Sequence, residues 1–287
     1  CALLISSVDE AHGERMPSHA GAPSAPAHEL AARGSASSAR PSRSPAPAEA
    51  PVFSFPVTLG SFQGLGDSGT SIPPDTMGAV GPRHVMVTLN TQVQIEDRQG
   101  NVLVTRSLGS FWTPLGSFTN IFDPRIFYDP YGKRWVTAAL ANSNSNNSAI
   151  LVAASVSDDP TGSWTYYKFS GDPNPSGPKQ YWADYTNLGF NKNWIVVSVN
   201  LIPFGSSSTN DARILAISKA DAYAGAANPL AAPFLVNNSN TLVPAYTYDP
   251  GLETMYVAEE WDNNTGQLRL STITGPVGSE SFNGGTA

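Results

Sequence analysis

Two neighbouring stretches decide the fold: FDPRIFYDPYGKRWVTAAL at residues 122–140 and AILVAASVSDDPTGSWTYYKF at residues 149–169. They contain four runs rich in Val, Ile, Tyr, Phe and Trp, residues that suit the half-buried surface of a β-sheet. Turn-forming groups separate these runs at residues 129–132, 142–148 and 158–162. Because consecutive short strands pair with their chain neighbours, the stretch predicts a four-stranded antiparallel sheet, the unit of a β-propeller blade.

The same organisation recurs along the chain. Four short runs occupy residues 75–106, and further groups begin at Asp184 and near Val243. In every group a bulky apolar residue opens the second run, at Val85, Trp135, Trp194 and Tyr256. Intervals of this length are typical of propeller blades, although a β-sandwich with long hairpins is an alternative. We therefore predict an all-β fold, a β-propeller of four-stranded antiparallel blades.

Both ends of the predicted propeller look irregular. The fourth group has no evident last strand in residues 278–287, whereas residues 52–57 read as an extra strand that would complete a closing blade. We predict a propeller domain at residues 51–287, with about four visible blades and a chain cut short at its C-terminus.

Residues 1–50 have a different composition, dominated by Ala, Pro, Ser and Gly, and no aromatic residue precedes Phe53. Such a segment buries too little apolar surface to offset the entropy of ordering, so we predict a disordered tail or stalk. Its three histidines, His12, His19 and His28, match no metal-ligand spacing.

The single cysteine is Cys1. One interpretation is a mature bacterial lipoprotein with lipid attached at Cys1, and the other is the remnant of an apolar signal sequence. Both predict an exported protein, extracellular or at the cell surface.

Charge limits the possible partners. The 287-residue chain has a formal net charge of −7 and no cluster of Lys and Arg in its aromatic-rich part. Nucleic-acid binding is therefore disfavoured, because it requires a basic surface. No apolar run approaches the roughly 20 residues that span a bilayer, so membrane contact is expected only through a lipid anchor at Cys1.

The segment IPPDTMGAVGP at residues 72–82, followed by the later Asp-Pro and Trp-Ala-Asp-Tyr segments, resembles a group of exported, largely uncharacterised bacterial β-propeller proteins. This resemblance covers about residues 60–287. It implies a fold and a location but no activity.

A second resemblance points to chemistry. FDPRIFYD at residues 122–129 and SDDPTGSW at residues 157–164 are similar to blade motifs of five-bladed furanosidases, the arabinanase and xylosidase group. The resemblance implies three inward carboxylates: a base, an acid and a third group that tunes the pKa and orients the substrate. The Glu-Gly-Pro-like context usual for the acid in that group does not occur in this chain.

Three aspartates are the candidate catalytic residues: Asp75, Asp123 and Asp184. Each is predicted to begin the innermost strand of a blade, so the three carboxylates would form a ring at one mouth of the central channel. Crowded carboxylates raise at least one pKa, which keeps a carboxyl protonated as a general acid. The alternative is that each aspartate caps the first turn of its own blade.

Aromatic residues near a Pro-rich loop at residues 171–185 are the candidate ligand contacts: Tyr181, Trp182 and Tyr185. Trp112 could also stack on a sugar. Of the two glutamates in one predicted strand, Glu259 and Glu260, one could reach the channel, and Glu260 is the candidate ligand residue.

Other chemistries find little support. His84 is the one histidine outside the tail, so a catalytic triad and a zinc site are not expected. We predict no cofactor, although oxygen atoms of Asp158, Asp159, Asp262 and Asn263 leave calcium open. Turn formation also explains these four residues.

The favoured function is an exported or surface-displayed β-propeller that binds a glycan or an extracellular protein. The alternative is an inverting glycoside hydrolase of the furanosidase type, acting through carboxylates at the channel mouth. A structural repeat within a larger surface protein is a third interpretation.

Overall fold

The computed structural model describes residues 61–178, 180–206, 209, 211–262 and 264–285. In this part of the chain, sixteen strands form four antiparallel sheets of four strands each. Each sheet takes its strands consecutively from the chain, which confirms the predicted all-β fold built from propeller blades. Cys1, the predicted tail at residues 1–50 and the strand predicted at residues 52–57 lie outside the described residues.

Blades 1 and 2 follow the predicted pattern closely. Blade 1 consists of β1 Met77–Val80, β2 His84–Thr88, β3 Gln92–Asp97 and β4 Val102–Ser107. Blade 2 consists of β5 Ile121–Asp129, β6 Arg134–Ala141, β7 Ala149–Ser155 and β8 Trp164–Ser170.

A short helical connection that the sequence did not suggest joins blades 1 and 2. Helix α1 spans Leu108–Trp112, and a 3₁₀ turn follows at Thr113–Leu115. Ser107 caps the helix because its hydroxyl oxygen accepts a hydrogen bond from the backbone N–H of Ser110 at 3.1 Å. Pro114 suits the start of the 3₁₀ turn, where its missing N–H costs nothing.

Blades 3 and 4 complete the array. Blade 3 consists of β9 Tyr181–Phe190, β10 Trp194–Pro203, β11 Asp211–Ser218 and β12 Ala231–Asn237. Blade 4 consists of β13 Val243–Pro244, β14 Met255–Asp262, β15 Gln267–Thr274 and β16 Ser281–Asn283. Helix α2, Lys219–Ala224, follows β11 and ends at Gly225, which adopts the left-handed conformation favoured at helix ends.

The predicted loss of the last strand of blade 4 is wrong. Residues Ser281–Asn283 pair with β15, and Ser281 lies opposite Thr274 in the register. The strand is short and polar, so its own sequence carries little β-signal. Pairing with the neighbouring strand supplies the order that local propensity lacks.

Apolar side chains fill the space between successive blades. The inner strands β1, β5, β9 and β13 are neighbours in that order, and a separate buried cluster lies between each pair of adjacent blades. The anchors Trp135 and Trp194 are fully buried in these clusters. A Cβ atom on Gly81 of blade 1 would lie 2.5 Å from the Trp135 ring, so close packing of blades 1 and 2 requires glycine there.

None of the helices within the described ranges is long and apolar enough to cross a membrane.

Candidate functional site

The three predicted catalytic aspartates lie together at one end of the inner strands. Asp75 precedes β1 by two residues, whereas Asp123 and Asp184 lie inside β5 and β9. The prediction that each aspartate begins its strand is therefore wrong for Asp123 and Asp184. Both lie where pairing with the second strand shifts register, and such irregularities redirect side chains.

Asp75 and Asp123 are hydrogen-bonded to each other through their side chains. Two ionised carboxylates at hydrogen-bonding separation repel each other strongly, so the neighbouring Asp75 helps to raise the pKa of Asp123. Asn90 holds both residues: its Nδ2 donates to Asp75 Oδ2, and its Oδ1 accepts the backbone N–H of Asp123 at 2.8 Å. One amide side chain thus fixes the relative position of the two carboxyl groups.

Asp184 joins the pair through a backbone group. The N–H of Tyr185 donates to Asp123 Oδ2 at 3.0 Å and also to the carboxylate of Asp184. This single donor therefore lies between the two carboxylates. Asp123 is thus hydrogen-bonded to Asp75 and shares the Tyr185 N–H with Asp184, while the charge of Asp75 also acts on Asp184.

The electrostatics of the group favour a protonated carboxyl at neutral pH. Burial raises the pKa of Asp123 to about 7, and the neighbouring charges of Asp75 and Asp184 act in the same direction. Burial and the charge of Asp75 also raise the pKa of Asp184, against the Tyr185 N–H, which lowers it. Acid–base catalysis by carboxyl groups requires one group that is protonated and another that is ionised at the same pH.

One kind of hydrogen bond recurs between successive blades, and we call it the inter-blade clamp. A side chain of one blade accepts the N–H of a residue with positive φ near the start of the next inner strand. The pairs are Asn90 with Asp123 at 2.8 Å, Asp123 with Tyr185 at 3.0 Å, and Asn200 with Thr241 at 2.6 Å. Asp123 therefore caps the following blade, and not its own turn as the alternative supposed.

Arg125 contacts the residues that follow Asp184 in β9. Its Nε donates to the carbonyl oxygen of Thr186 at 2.6 Å, and its Nη1 contacts Met77 Sδ at 3.0 Å. The guanidinium carbon also lies 5.9 Å from the centre of the Tyr185 ring, within the range of a cation–π contact. The side chain thus connects blades 1, 2 and 3 at the inner strands.

The predicted aromatic contacts divide into two kinds. Tyr185 is 46% exposed beside the carboxylates, and the half-buried ring of Trp182 lies 6.5 Å from that of Phe122. Tyr181 is buried, and its hydroxyl donates to Asp211 Oδ2 at 2.9 Å. The prediction that Tyr181 faces a ligand is therefore corrected, because alternation along β9 turns this side chain into blade 3.

Trp112 and Glu259 are buried and contact other protein side chains. Trp112 is fully buried in an aromatic cluster with Phe111 and Tyr166, so it presents no face to a sugar. Glu259 is buried in an ion pair with Arg269. Glu260 is exposed on β14, opposite Leu268 in the register of blade 4.

The loop acids act as turn formers in the described residues. Asp159 Oδ1 accepts the hydroxyl and the backbone N–H of Thr161 at 2.7 and 2.9 Å, and the hydroxyl contact lowers the pKa of Asp159. Asp158 pairs with Arg83 at 3.0 Å, and Asp262 accepts the N–H of Asn264 at 2.8 Å. Asn263 lies outside the described residues. Within the described ranges, no group of three or more His, Cys, Asp or Glu side chains is arranged to hold a metal ion.

Sequence reasoning missed Asn90 and Arg125. The irregular pairing between Phe122 and Arg125 interrupts the alternation of side chains, so the sequence gives no sign of the direction of Arg125. Asn90 lies between a buried strand and a short turn, where an asparagine is expected for local reasons.

Comparisons with known proteins give a likeness of structure. Neither the protein families nor the curated proteins include a match to this chain. Among solved structures, the fold is similar to "GH43 Endo-Arabinanase from Bacillus licheniformis", with 14% sequence identity and a TM-score of 0.38. The likeness covers 74% of this chain and 78% of that chain. At this level of identity it concerns the fold and assigns no activity.

Proposed function

We propose that this protein is an inverting glycoside hydrolase whose active site is the carboxylate group of Asp75, Asp123 and Asp184. One observation supports the proposal above all others. Carboxylates from three successive blades meet at one end of the inner strands, and the pKa of the central one, Asp123, is raised to about 7. Hydrolysis of a glycosidic bond requires one protonated and one ionised carboxyl group at the same site.

The arrangement suggests a role for each residue. Asp184, whose pKa is raised, donates its proton to the glycosidic oxygen as the bond to the anomeric carbon breaks. Asp75 accepts a proton from the water that adds to the anomeric carbon. Asp123, hydrogen-bonded to Asp75 and with a pKa raised to about 7, is the third group, which tunes the pKa values and orients the substrate.

The proposed mechanism also sets a distance between the acid and the base. An inverting mechanism needs room for water between acid and base, with roughly 6.5–9.5 Å between their carboxyl groups. Asp75 is hydrogen-bonded to Asp123, whereas Asp184 lies across the Tyr185 N–H. We therefore assign acid and base to Asp184 and Asp75, which have no hydrogen bond to each other among the described contacts, rather than to the hydrogen-bonded pair Asp75 and Asp123.

Hydrolysis of aryl furanosides and aryl xylosides tests the proposal. We expect Asp184→Asn and Asp75→Asn to lower kcat/KM by about 10²–10⁴-fold, because each removes a proton-transfer group. Asp249→Asn is the matched control, since Asp249 is an exposed aspartate whose side chain bonds only to the nearby Gly251 N–H among the described contacts. Hydrolysis equal in the wild type and both site variants would exclude the assignment.

A non-catalytic binding function is the second candidate. Its specific support is the inter-blade clamp, because the Asp123 carboxylate that holds Tyr185 has a structural reason to be there. In that case the protein, exported as the sequence suggests, binds a glycan or an extracellular protein through Tyr185, Trp182 and the exposed Glu260. Retention on a glycan array without turnover of any retained sugar would favour this candidate over hydrolysis.

A further inference from the structure

A groove shares the residue Asn90 with the carboxylate group. It has a volume of about 410 Å³ and is formed by the connection between blades 1 and 2 together with the first residues of β5. Its walls include Asn90, Thr113, Ser117, Phe118, Asn120 and Ile121. A volume of this size is within the range of small-molecule sites in proteins.

Asn90 makes the groove continuous with the carboxylate group. The side chain that lines the groove also donates to Asp75 and accepts the N–H of Asp123. On the other wall, Ile121 is two residues before Asp123 in the same strand. A ligand in the groove would therefore extend toward the carboxylates without crossing another blade.

The chemistry of the lining selects a class of ligand. None of the residues that line the groove is charged. Hydroxyl and amide groups of Thr113, Ser117 and Asn120 can donate and accept hydrogen bonds, and Phe118 and Ile121 supply apolar surface. Alternating hydroxyl groups and apolar ring faces are the features of a neutral sugar, whereas a phosphate would require positive charge or several convergent N–H donors.

The groove is held in place before any ligand binds. Asn142 of blade 2 accepts the N–H of Thr119 at 2.9 Å, and Asn120 donates to Ser143 Oγ at 2.7 Å. On the opposite wall, Phe111 and Trp112 anchor α1 in the buried cluster between blades 1 and 2. A preformed wall binds with less loss of conformational entropy than a mobile loop.

We propose that this groove binds the sugar units next to the cleaved bond of a neutral oligosaccharide. The proposal rests on the proposed hydrolase function for the position of the cleaved bond, although binding itself needs no catalysis. It implies a substrate longer than a single sugar unit attached to a small leaving group.

Calorimetric titration of the full chain carrying Asp184→Asn tests this proposal without turnover. The probes are arabino- and xylo-oligosaccharides of one to five units, with polygalacturonate oligomers of the same lengths as the charged comparison. For at least one neutral series, we expect affinity to rise about tenfold or more between one and three units. The charged series should bind at least tenfold more weakly.

Two variants test whether the rise in affinity with oligosaccharide length arises in the groove. Phe118→Ala removes an aromatic wall, and Ser117→Trp fills the groove from an exposed position without removing any core side chain. Each should abolish the gain with length. Phe204→Ala, at a residue 36% exposed in blade 3, is the matched control and should leave the gain intact.

The possible outcomes separate the two proposals. A gain with length that both groove variants abolish supports the groove, even if wild-type protein hydrolyses nothing, and that result would overturn only the hydrolase function. Hydrolysis with no gain from one to three units overturns the groove and leaves the hydrolase function standing. Tighter binding of the charged series, or a gain that survives Ser117→Trp, also overturns the groove.

Discussion

Two aspartates at opposite ends of the same inner strand have contrasting environments. Asp123 and Asp129 both belong to β5, six residues apart. Asp123 is half-buried among carboxylates and has a pKa raised to about 7. Asp129 is completely buried, yet positive and hydrogen-bond-donating groups surround it.

Every partner of Asp129 stabilises its negative charge. Lys219 Nζ lies 3.0 Å from Oδ2, and the Tyr223 hydroxyl donates to the same oxygen at 2.9 Å. The backbone N–H groups of Tyr131 and Gly132 donate to Oδ1 at 2.9 and 3.0 Å. Lys219 and Tyr223 belong to α2 of blade 3, so this aspartate joins two blades.

The comparison shows that depth of burial alone does not mark a functional carboxylate. The more deeply buried aspartate has a donor for each oxygen and serves the structure. The less buried one faces other carboxylates, an arrangement that stabilises nothing by itself. A group that costs stability where it lies is the better candidate for function.

The largest expected effect comes from removing the charge of Asp129. Asp129→Asn leaves Lys219, whose side chain is 11% exposed, without its counter-ion. We expect the free energy of unfolding to fall by about 3–5 kcal/mol, because an uncompensated buried charge remains. Urea unfolding followed by tryptophan fluorescence measures the change.

Asp123→Asn is the matched control in that experiment, since it changes the same residue type on the same strand. Its stability at pH 7 should equal or exceed that of the wild type. Equal losses in the two variants would show that the contrast between the two aspartates is wrong.

A smaller effect is expected in the pH dependence of stability. The pKa of Asp123 is raised from an ordinary 3.8 to about 7 in the folded protein, so the folded state holds its proton more tightly. Its contribution to stability is complete below pH 3.8 and is lost as the pH rises through about 7. The slope from this group should be at most about 1.4 kcal/mol per pH unit.

Urea unfolding of wild type and Asp123→Asn between pH 5 and 8 isolates this contribution, because the other titrating groups are common to both proteins. The variant should gain stability relative to the wild type as the pH rises. Parallel pH profiles would contradict the raised pKa of Asp123.

The smallest effect concerns a single hydroxyl at the Asp129 end. Tyr223→Phe removes the donor to Asp129 Oδ2 but leaves the ion pair with Lys219. We expect a loss of about 1–2 kcal/mol, typical of a hydrogen bond to a buried charge. Tyr131→Phe is a suitable comparison, because its hydroxyl bonds only to the exposed Tyr248 carbonyl among the described contacts and should cost less. A loss in Tyr131→Phe as large as in Tyr223→Phe would contradict this order.

Sequence reasoning recovered most of the blades because their signals are local. Runs such as residues 134–141 and 149–155 combine β-forming residues with clear turns at both ends. Strand β12 was missed, since Ala231–Asn237 contains Pro233 and few strong β-formers. Its position at the outer edge of blade 3 tolerates proline there.

The candidate site was only partly predictable. Equivalent positions in a repeat must converge, so the meeting of Asp75, Asp123 and Asp184 followed from the blade pattern. The raised pKa of Asp123 did not follow, because it depends on inter-blade distances and positive φ angles. The orientation of Tyr181 also failed, since both faces of an interior blade are buried and alternation gives no sign of direction.

The inter-blade clamp gives the assembly a direction. Asn90 fixes the start of blade 2, Asp123 that of blade 3, and Asn200 that of blade 4. In this series of bonds, the start of each blade is fixed by a side chain of the blade before it. Asp75 is bonded to Asn90 of its own blade, so the series begins in blade 1. Loss of the Asn90 side chain would therefore remove contacts of both Asp75 and Asp123 while leaving the bond between Asp123 and Tyr185 in place.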